Sequence, residues 1–160
     1  MSDLLHKKSV KKVEVFIKKI DKELSIIVLN NTARSAKEAA ISLGVETGSI
    51  VKSIIFKSLE NNYYLCLVSG DKTVSVNKLS NLIKSSIIKP DAKEVKEVSG
   101  FSIGGVPPIA HKFPIPTYID ESLSRFKSIF AAAGHPHCVF KITYEKLCYI
   151  TKGYICNLTN

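Results

Sequence analysis

The spacing of apolar residues predicts a chain in which helices alternate with strands. Between residues 9 and 24, apolar side chains recur at steps of three and four among lysines, which is typical of one amphipathic helix. A second helix is predicted at 33–43, with Thr32 as its N-cap and Gly44 as the glycine that ends it. The same periodicity and cap signals predict shorter helices at 76–83, 92–98 and 144–150. In the first of these, Leu79, Leu82 and Ile83 are expected to face inward.

Runs rich in β-branched and aromatic residues predict strands between these helices. The runs 50–57 and 63–69 are separated by Glu60-Asn61-Asn62, which indicates a hairpin. Two prolines, Pro114 and Pro116, precede a strand at 117–119, so that strand is expected at a sheet edge or with delayed pairing. Further strands are predicted at 25–29, 128–133 and 138–142, and the tail 154–158 is ambiguous.

This mixture of elements fixes the expected fold class. Helices and strands are interleaved without regular βαβ repeats, which favours an α/β (α+β) protein over a doubly wound parallel sheet. We therefore expect a single domain with a curved, mostly antiparallel mixed sheet surrounded by helices. A length of 160 residues and 45% hydrophobic content agree with one domain that buries its own core.

Residues 100–109, Gly-Phe-Ser-Ile-Gly-Gly-Val-Pro-Pro-Ile, form the most unusual stretch of the chain. Glycine lets a backbone approach a ligand closely, whereas proline fixes φ and has no N–H group. The result is a bent, rigid loop that directs its free N–H groups toward one point. The candidate donors are the amides of Gly104, Gly105 and Val106, braced by Pro107 and Pro108. A tight turn between two strands is an equally open interpretation of these ten residues.

Lys52 interrupts the apolar run 50–56. If Val51 and Ile55 occupy one face of this strand, Lys52 shares the other face with Ile54 and Phe56. A lysine among apolar neighbours either extends its ammonium to the solvent at a sheet edge or is retained for chemistry. The run by itself favours the first explanation.

The net charge and the arginine content of the chain limit the kinds of partner that it is expected to bind. The formal net charge of +9 favours a polyanionic partner, although a generally lysine-rich proteome is the alternative, because only two of the 23 basic residues are Arg. Without Trp, and with so few Arg, the chain lacks the aromatic and arginine pattern of a nucleic-acid-binding regulator, and no DNA partner is expected.

Neither a metal nor a cofactor is expected. The four cysteines are scattered, which favours free thiols in a reducing cytosol, and His135 and His137 flank a proline at a spacing that suits metal ligation poorly. His111 is interpreted as a surface residue. The polar, lysine-rich start and the lack of a long apolar run argue against secretion and membrane insertion, so a cytoplasmic protein without membrane contact is expected.

Four motifs in a fixed order carry a family resemblance. They are Lys52 in its apolar run, the loop from Gly104 to Pro108, Pro116-Thr117-Tyr118-Ile119-Asp120 and Ala131-Ala132-Ala133-Gly134-His135. In this order the chain resembles the YbaK/ProX family, single-domain relatives of the editing domain inserted in bacterial prolyl-tRNA synthetases. The resemblance extends from about residue 32 to about residue 147, and the lysine with the G-x-x-x-P loop is its most specific part.

The resemblance implies a function and a set of roles. Family members hydrolyse wrongly charged aminoacyl-tRNA, which implies that residues 1–160 form one trans-editing deacylase domain acting on the acceptor end of mischarged tRNA. A prolyl-tRNA synthetase in a ternary complex is a further candidate partner. Lys52 would hold the terminal phosphate and ribose, and the loop amides would bind the developing oxyanion. The implied catalytic residues are Lys52, Gly104 and Gly105. The implied substrate-binding residues are Val106, Pro107, Pro108, Ser53, Ala132, Gly134, His135 and Thr32.

Three questions stay open at this level. Pro107 stands where relatives that remove cysteine from tRNA(Pro) commonly have Ser, and His135-Pro136-His137 replaces a turn richer in glycine and basic residues. The resemblance implies cysteine or alanine as the leading acyl groups, and these departures leave serine and threonine open as well. The attacking group is water, the terminal 2′-hydroxyl of the tRNA or, for a cysteinyl ester, its thiol. The alternative function is a non-catalytic module that binds tRNA or a synthetase, which loss of Lys52 or of the G-x-x-x-P pattern would indicate.

Overall fold

The computed structural model describes residues 2–30 and 33–160 of the chain. Within these ranges the chain forms α-helices and β-strands, numbered here in chain order, and three short 3₁₀ turns. The helices are α1 Lys8–Ile20, α2 Ala36–Leu43, α3 Val76–Ile83, α4 Ala92–Ser99 and α5 Tyr144–Thr151. The strands are β1 Ile26–Val28, β2 Val51–Ser58, β3 Tyr63–Ser69, β4 Ile87–Ile88, β5 Thr117–Asp120, β6 Ser128–His135, β7 Cys138–Thr143 and β8 Tyr154–Cys156. The 3₁₀ turns are Ser2–His6, Thr47–Ser49 and Glu121–Arg125.

The strands are divided between two sheets. One contains β1, β7 and β6 in that order, and the other contains β4, β2, β3, β5 and β8. Every pairing in the first sheet is antiparallel, as are β4–β2 and β2–β3, whereas β5 runs parallel to both β3 and β8. The α+β class and the mostly antiparallel, mixed pairing expected from the sequence are confirmed. A parallel bridge between Ile50 and Phe130 joins the two sheets beside β2 and β6.

The strand that follows the two prolines lies inside the larger sheet. β5 pairs with β3 on one side and with β8 on the other, so the expectation of an edge position is wrong. Pairing begins at Thr117, immediately after Pro116, and the Pro116 carbonyl accepts a hydrogen bond from the Leu65 amide at 2.9 Å. The prolines precede the ladder, where their missing N–H groups remove no strand hydrogen bond. The ambiguous tail forms the edge strand β8.

Three helix details differ from the sequence expectation. Helix α1 ends at Ile20 rather than near residue 24. Helix α2 begins at Ala36, and its N-cap is Ser35, whose side chain accepts a hydrogen bond from the Glu38 amide at 3.1 Å. Thr32, the cap expected from the sequence, lies outside the described residues. In α3, Leu79 is fully buried but Leu82 is 36% exposed, so the inward orientation expected for Leu82 is wrong. Gly44 ends α2 in the left-handed conformation, as expected.

The core explains the alternation along β2. Val51 and Ile55 pack in the main core with the buried face of α1, whereas Ile54 and Phe56 pack in a second cluster beneath α3. The face that Lys52 shares with Ile54 and Phe56 is therefore the one expected from the sequence. Helix α1 lies against β6, with Val10, Val13 and Ile17 completely buried. In the described ranges, no helix is long and apolar enough to cross a membrane.

Helix α4 leads into the 100–109 loop, and an ion pair attaches this helix to the β2–β3 hairpin. Glu94 accepts hydrogen bonds from the Lys57 ammonium at 2.6 Å and from the Tyr63 hydroxyl at 2.7 Å. These donors, chiefly Lys57, lower the pKa of the Glu94 carboxyl from 4.5 to about 2. Asp91 and Glu94 also form a capping box at the start of α4. The start of the loop is thus anchored to the larger sheet.

The lowered pKa of Glu94 predicts an acid-sensitive contribution to stability. Because the carboxylate is favoured in the folded state, its contribution is complete above about pH 4.5 and is lost as the pH falls through about 2. Glu94→Gln should therefore lower the urea midpoint at neutral pH, and the difference from the wild type should shrink as the pH approaches 2. Glu97→Gln, at an exposed position of the same helix, is the matched control. It should change neither the urea midpoint at neutral pH nor the way this midpoint depends on pH. If Glu94→Gln lowered the urea midpoint by the same amount at every pH, the stabilising role of the ionised Glu94 carboxylate would be contradicted.

Candidate functional site

A cleft of about 480 Å³ opens between the start of α2, strand β2, the 100–109 loop and the β6–β7 pair. It lies where the two sheets meet, because β2 belongs to one sheet and β6 and β7 to the other. Its walls are mainly apolar, and its polar groups come from β2 and the start of α2. The residues that line it include Arg34, Lys37, Lys52, Ser53, Gly104, Val106, Phe130 and Ala132.

Lys52 supplies a half-buried cation to this cleft. Its ammonium donates a hydrogen bond to the carbonyl oxygen of Lys72, in the turn that follows β3. Burial lowers the pKa of the Lys52 amine, the nearby Asp71 carboxylate opposes this effect, and Lys89 adds to it. An ammonium has three N–H donors, so two remain to bind a ligand in the cleft.

The loop presents its backbone to the cleft at Gly104. This residue is exposed and has φ of 90°, a conformation that only glycine adopts readily. Within the described ranges, the amides of Gly104 and Val106 donate to no protein acceptor. The Gly105 amide, by contrast, donates to the Ser102 carbonyl at 3.0 Å, so the donor expected at Gly105 is already engaged. Two of the three expected amide donors are therefore free.

Gly105 has a different role, since it packs against the end of β6. The Gly134 amide donates to the Gly105 carbonyl at 3.0 Å, and an added Cβ on Gly105 would lie 2.8 Å from the His135 nitrogen. The β6–β7 register shifts between Ala132 and His135, which releases Gly134 from the strand ladder. On its other side, the Gly134 carbonyl accepts a hydrogen bond from the Ser9 hydroxyl at 2.9 Å. The loop, the β6 bulge and α1 are thereby stacked.

The two prolines of the loop are buried behind this contact. Pro107 and Pro108 do not line the cleft, and the Pro107 carbonyl accepts a hydrogen bond from His111 Nε2 at 2.7 Å. A carbonyl oxygen can only accept, so Nε2 carries the proton. Burial lowers the pKa of His111, which favours the neutral ring. The surface position expected for His111 is wrong, because its ring is half-buried and braces the loop.

The structure thus divides the predicted site residues into two groups. Lys52, Ser53, Gly104, Val106 and Ala132 line the cleft together. The second group packs behind the loop instead and comprises Gly105, Pro107, Pro108, Gly134 and His135. Thr32 lies outside the described residues.

Two polar side chains of this region differ in how they are satisfied. The buried Ser53 hydroxyl has no hydrogen-bond partner among the described residues. His135 Nδ1 accepts a hydrogen bond from the His137 amide at 3.0 Å, and no cluster of three metal-ligating side chains exists in the part of the chain that the structure describes. Because Ser53 is also among the residues that line the cleft, its unpaired hydroxyl is a candidate to bind a polar group of a ligand.

The resemblance implied Thr32, before the second helix, as a site residue, but the sequence analysis did not identify the cations at the start of α2. Arg34 and Lys37 are exposed there, on either side of the Ser35 N-cap. The signal was available, because Ser35 and Glu38 form the S-x-x-E pattern of a capping box, which points to Ser35 rather than Thr32 as the cap. A helix that starts at Ala36 brings two cations to the mouth of the cleft.

Comparison with known proteins identifies the family of this chain. Residues 30–148 match the model of the aminoacyl-tRNA editing domain family. The chain belongs to this family. The resemblance to the YbaK/ProX group noted from the sequence is thereby confirmed, and the cleft that contains Lys52 and Gly104 lies within the matched residues.

This chain is similar to individual known proteins over different lengths. The chain is 25% identical over 126 residues to "Putative Cys-tRNA(Pro)/Cys-tRNA(Cys) deacylase EbsC" of Enterococcus faecalis (strain ATCC 700802 / V583), covering 78% of this chain and 77% of the relative. It is 32% identical over 101 residues to a proline–tRNA ligase of Sulfurihydrogenibium sp. (strain YO3AOP1), covering 63% of this chain but only 18% of the ligase. A solved structure described as "a putative trans-editing enzyme for prolyl tRNA synthetase" superimposes with a TM-score of 0.91 at 34% identity, covering 96% of this chain and 98% of that one.

The packing of Gly105 predicts a large stability effect at a glycine without positive φ. In Gly105→Ala the added methyl group would meet the backbone of Gly134 and His135, which cannot rotate away, so we expect a loss of up to about 3 kcal/mol. Gly44→Ala is the comparison, because its φ is 69° but no atom lies within 4 Å of the added Cβ. It should cost only the conformational strain, about 1 kcal/mol. Urea unfolding of both variants tests this order, and a Gly44→Ala loss larger than that of Gly105→Ala would contradict it.

Proposed function

We propose that this protein is a trans-editing hydrolase that deacylates mischarged aminoacyl-tRNA, with residues 1–160 acting as one editing domain. The observation that supports this function best is the meeting of Lys52 and the unoccupied backbone donors at Gly104 and Val106 in one cleft of an aminoacyl-tRNA editing domain. The names of the Enterococcus faecalis relative and of the solved structure support deacylation of tRNA as the reaction.

The ester of an aminoacyl-tRNA is already activated, so the reaction needs positioning and charge stabilisation rather than a protein nucleophile. The terminal phosphate and ribose would bind the Lys52 ammonium through its two remaining N–H donors. The ester carbonyl would face the amides of Gly104 and Val106, which would stabilise the negative charge that develops on its oxygen. Water, activated by the terminal 2′-hydroxyl of the tRNA, then attacks the ester carbonyl. The bond between the carbonyl carbon and the ribose oxygen breaks, the ribose oxygen takes up a proton, and the free amino acid and the deacylated tRNA are released.

The cleft also supports a preference for small acyl groups. Its apolar walls include Phe130 and Val139, and the small Ala132 leaves room for a side chain of the ester. The Ser53 hydroxyl offers a hydrogen bond to a polar substituent. Cysteine and alanine on tRNA(Pro) are accordingly the first substrates to test, followed by serine and threonine. Exposed Arg34 and Lys37 at the mouth of the cleft would attract the phosphates of the acceptor end.

Removal of the Lys52 charge should abolish deacylation. Lys52→Met keeps the apolar stem against its neighbours but deletes the ammonium, so we expect a loss of two to three orders of magnitude in single-turnover rate, roughly what the loss of one preorganised donor costs. Circular dichroism and the urea midpoint should stay close to those of the wild type. Lys19→Met is the control, because Lys19 is exposed on α1, forms no ion pair among the described residues and does not line the cleft.

The outcomes of this experiment separate the candidate functions. Full activity in Lys52→Met would reject Lys52 as the residue that holds the substrate. If the wild type bound mischarged tRNA but hydrolysed none of a panel of cysteinyl, alanyl, seryl and threonyl esters, the non-catalytic binding module would replace the deacylase. Deacylated product that accumulates only with the wild type and the Lys19→Met control supports the proposal.

Two glycines of the loop provide a matched test of the backbone donors. Gly104 and Gly100 have φ values of 90° and 86°, and an added Cβ would find its nearest neighbour at 3.4 Å in each. Gly104→Ala and Gly100→Ala should therefore lose similar stability, about 1 kcal/mol. Only Gly104 lines the cleft, so only Gly104→Ala should reduce deacylation per folded molecule, by roughly a hundredfold. Equal activity of the two variants would identify the loop as a structural turn.

A further inference from the structure

The turn after β3 determines where the Lys52 charge lies. The Lys52 ammonium donates to the carbonyl oxygen of Lys72, so any displacement of this turn displaces the ammonium as well. The turn itself is closed by a hydrogen bond from the Lys72 amide to the Ser69 carbonyl at 3.0 Å. We refer to residues 70–73 as the lysine-holding turn.

One side of the lysine-holding turn packs against the wall of the cleft. Gly70 lies so close to α2 that an added Cβ would come within 2.8 Å of the Ala36 Cβ. Gly70 also lines the cleft, next to the Thr47–Ser49 turn. An added Cβ would also clash with the Thr47 carbonyl oxygen, so Gly70 is packed closely on this side. Among the described residues, no backbone hydrogen bond outside the strands joins the turn to α2.

The other side of the lysine-holding turn is fixed by a bidentate ion pair. Arg125 Nη2 lies 2.7 Å from Asp71 Oδ1, and Arg125 Nη1 lies 3.1 Å from Asp71 Oδ2. The guanidinium is itself oriented, since its Nε donates to the Ser122 carbonyl at 2.8 Å and its centre lies 5.0 Å from the centroid of the Phe126 ring. Because all three guanidinium nitrogen atoms are hydrogen-bonded, Arg125 fixes both the position and the orientation of the Asp71 carboxylate.

We propose that Asp71 and Arg125 are positioning residues for Lys52 in the deacylation reaction. This inference rests on the proposed function, because it assigns the pair to the placement of the charge that binds the tRNA terminus. The side chains of Arg125 and Asp71 are 42% and 38% exposed, and an ion pair this accessible contributes little to folding stability. Its two-point geometry is instead suited to holding the turn in one place.

The charges around Lys52 give the pair a second effect that can be measured. Asp71 in the turn raises the pKa of the Lys52 amine, whereas burial and Lys89, just beyond β4, lower it. Arg34 and Lys37 at the start of α2 line the same cleft, whereas Arg125 contacts Asp71 outside it. Removing the Asp71 carboxylate removes the charge that raises the pKa of Lys52, so this pKa should fall further.

Three variants test the proposal by activity. Asp71→Asn and Arg125→Gln each break the fork, and Arg125→Lys retains the charge without the two-point contact. All three should lower the deacylation rate at saturating mischarged tRNA by roughly tenfold to a hundredfold, the usual effect of misplacing a functional group by about 1 Å. The double variant Asp71→Asn/Arg125→Gln should lose no more than either single variant, because the two residues act as one unit.

Glu14→Gln is the matched control for these variants. It breaks the exposed Lys11–Glu14 ion pair on α1, away from the cleft, and should leave the rate unchanged. The melting temperatures of all these variants should stay close to one another. Wild-type rates in Asp71→Asn and Arg125→Gln, alongside an inactive Lys52→Met, would overturn the positioning role and leave the deacylase function intact.

An activity-independent measurement completes the test. Lysine labelled with ¹³C at Cε reports the pKa of Lys52 by NMR, with its signal assigned by its loss in Lys52→Met. In Asp71→Asn this pKa should fall below that of the wild type, and in Glu14→Gln it should not change. Should the wild type deacylate no tRNA, the proposed function would fail, and a Lys52 titration identical in the wild type and Asp71→Asn would then overturn the positioning role as well.

Discussion

The close approach of two backbone segments, residues 104–105 and residues 134–135, is the constraint on which the site depends. Gly105 meets the His135 nitrogen at a distance that leaves no space for a Cβ, and the Gly134 amide hydrogen bond to Gly105 closes the contact. Gly134 in turn lies against Ser9 at the start of α1. Because backbone atoms cannot rotate away as side chains do, this stack fixes the position of the loop beside the cleft. Gly104 stays exposed there, and its amide donates to no acceptor among the described residues.

The Lys52 cation is held in place by different interactions from those that hold the loop. A lysine on a strand face loses hydration, which lowers the pKa of Lys52, and the Lys72 carbonyl restores only one of its hydrogen bonds. The ammonium therefore lies half-buried with two donors unused, which costs folding free energy but favours an anionic ligand. A rigid loop made from backbone contacts and a cation held by a turn thus face each other across a cleft between two sheets.

In the aminoacyl-tRNA editing domain of this chain, the residues that line the cleft and the residues behind the loop have different roles. Residues that line the cleft, such as Lys52 and Gly104, contact the substrate in the proposed reaction. Residues behind the loop, such as Pro107 with its His111 hydrogen bond, keep the donors in place. The division also explains how the loop motif can be read as a turn and as a binding element at once, since Gly105 serves the packing and Gly104 faces the ligand.

The sequence by itself determined the elements whose signals are local. Periodicity and caps placed α3, the β2–β3 hairpin and the alternation that separates Lys52 from Val51, because helix and strand periods depend only on neighbouring residues. Only the tertiary structure decided which groups meet. The engaged Gly105 amide, the interior position of β5, the half-buried His111 and the distance from Asp71 to Arg125, 54 positions apart, all depend on contacts between remote segments. Such contacts follow from the packing of whole elements, which no local pattern encodes.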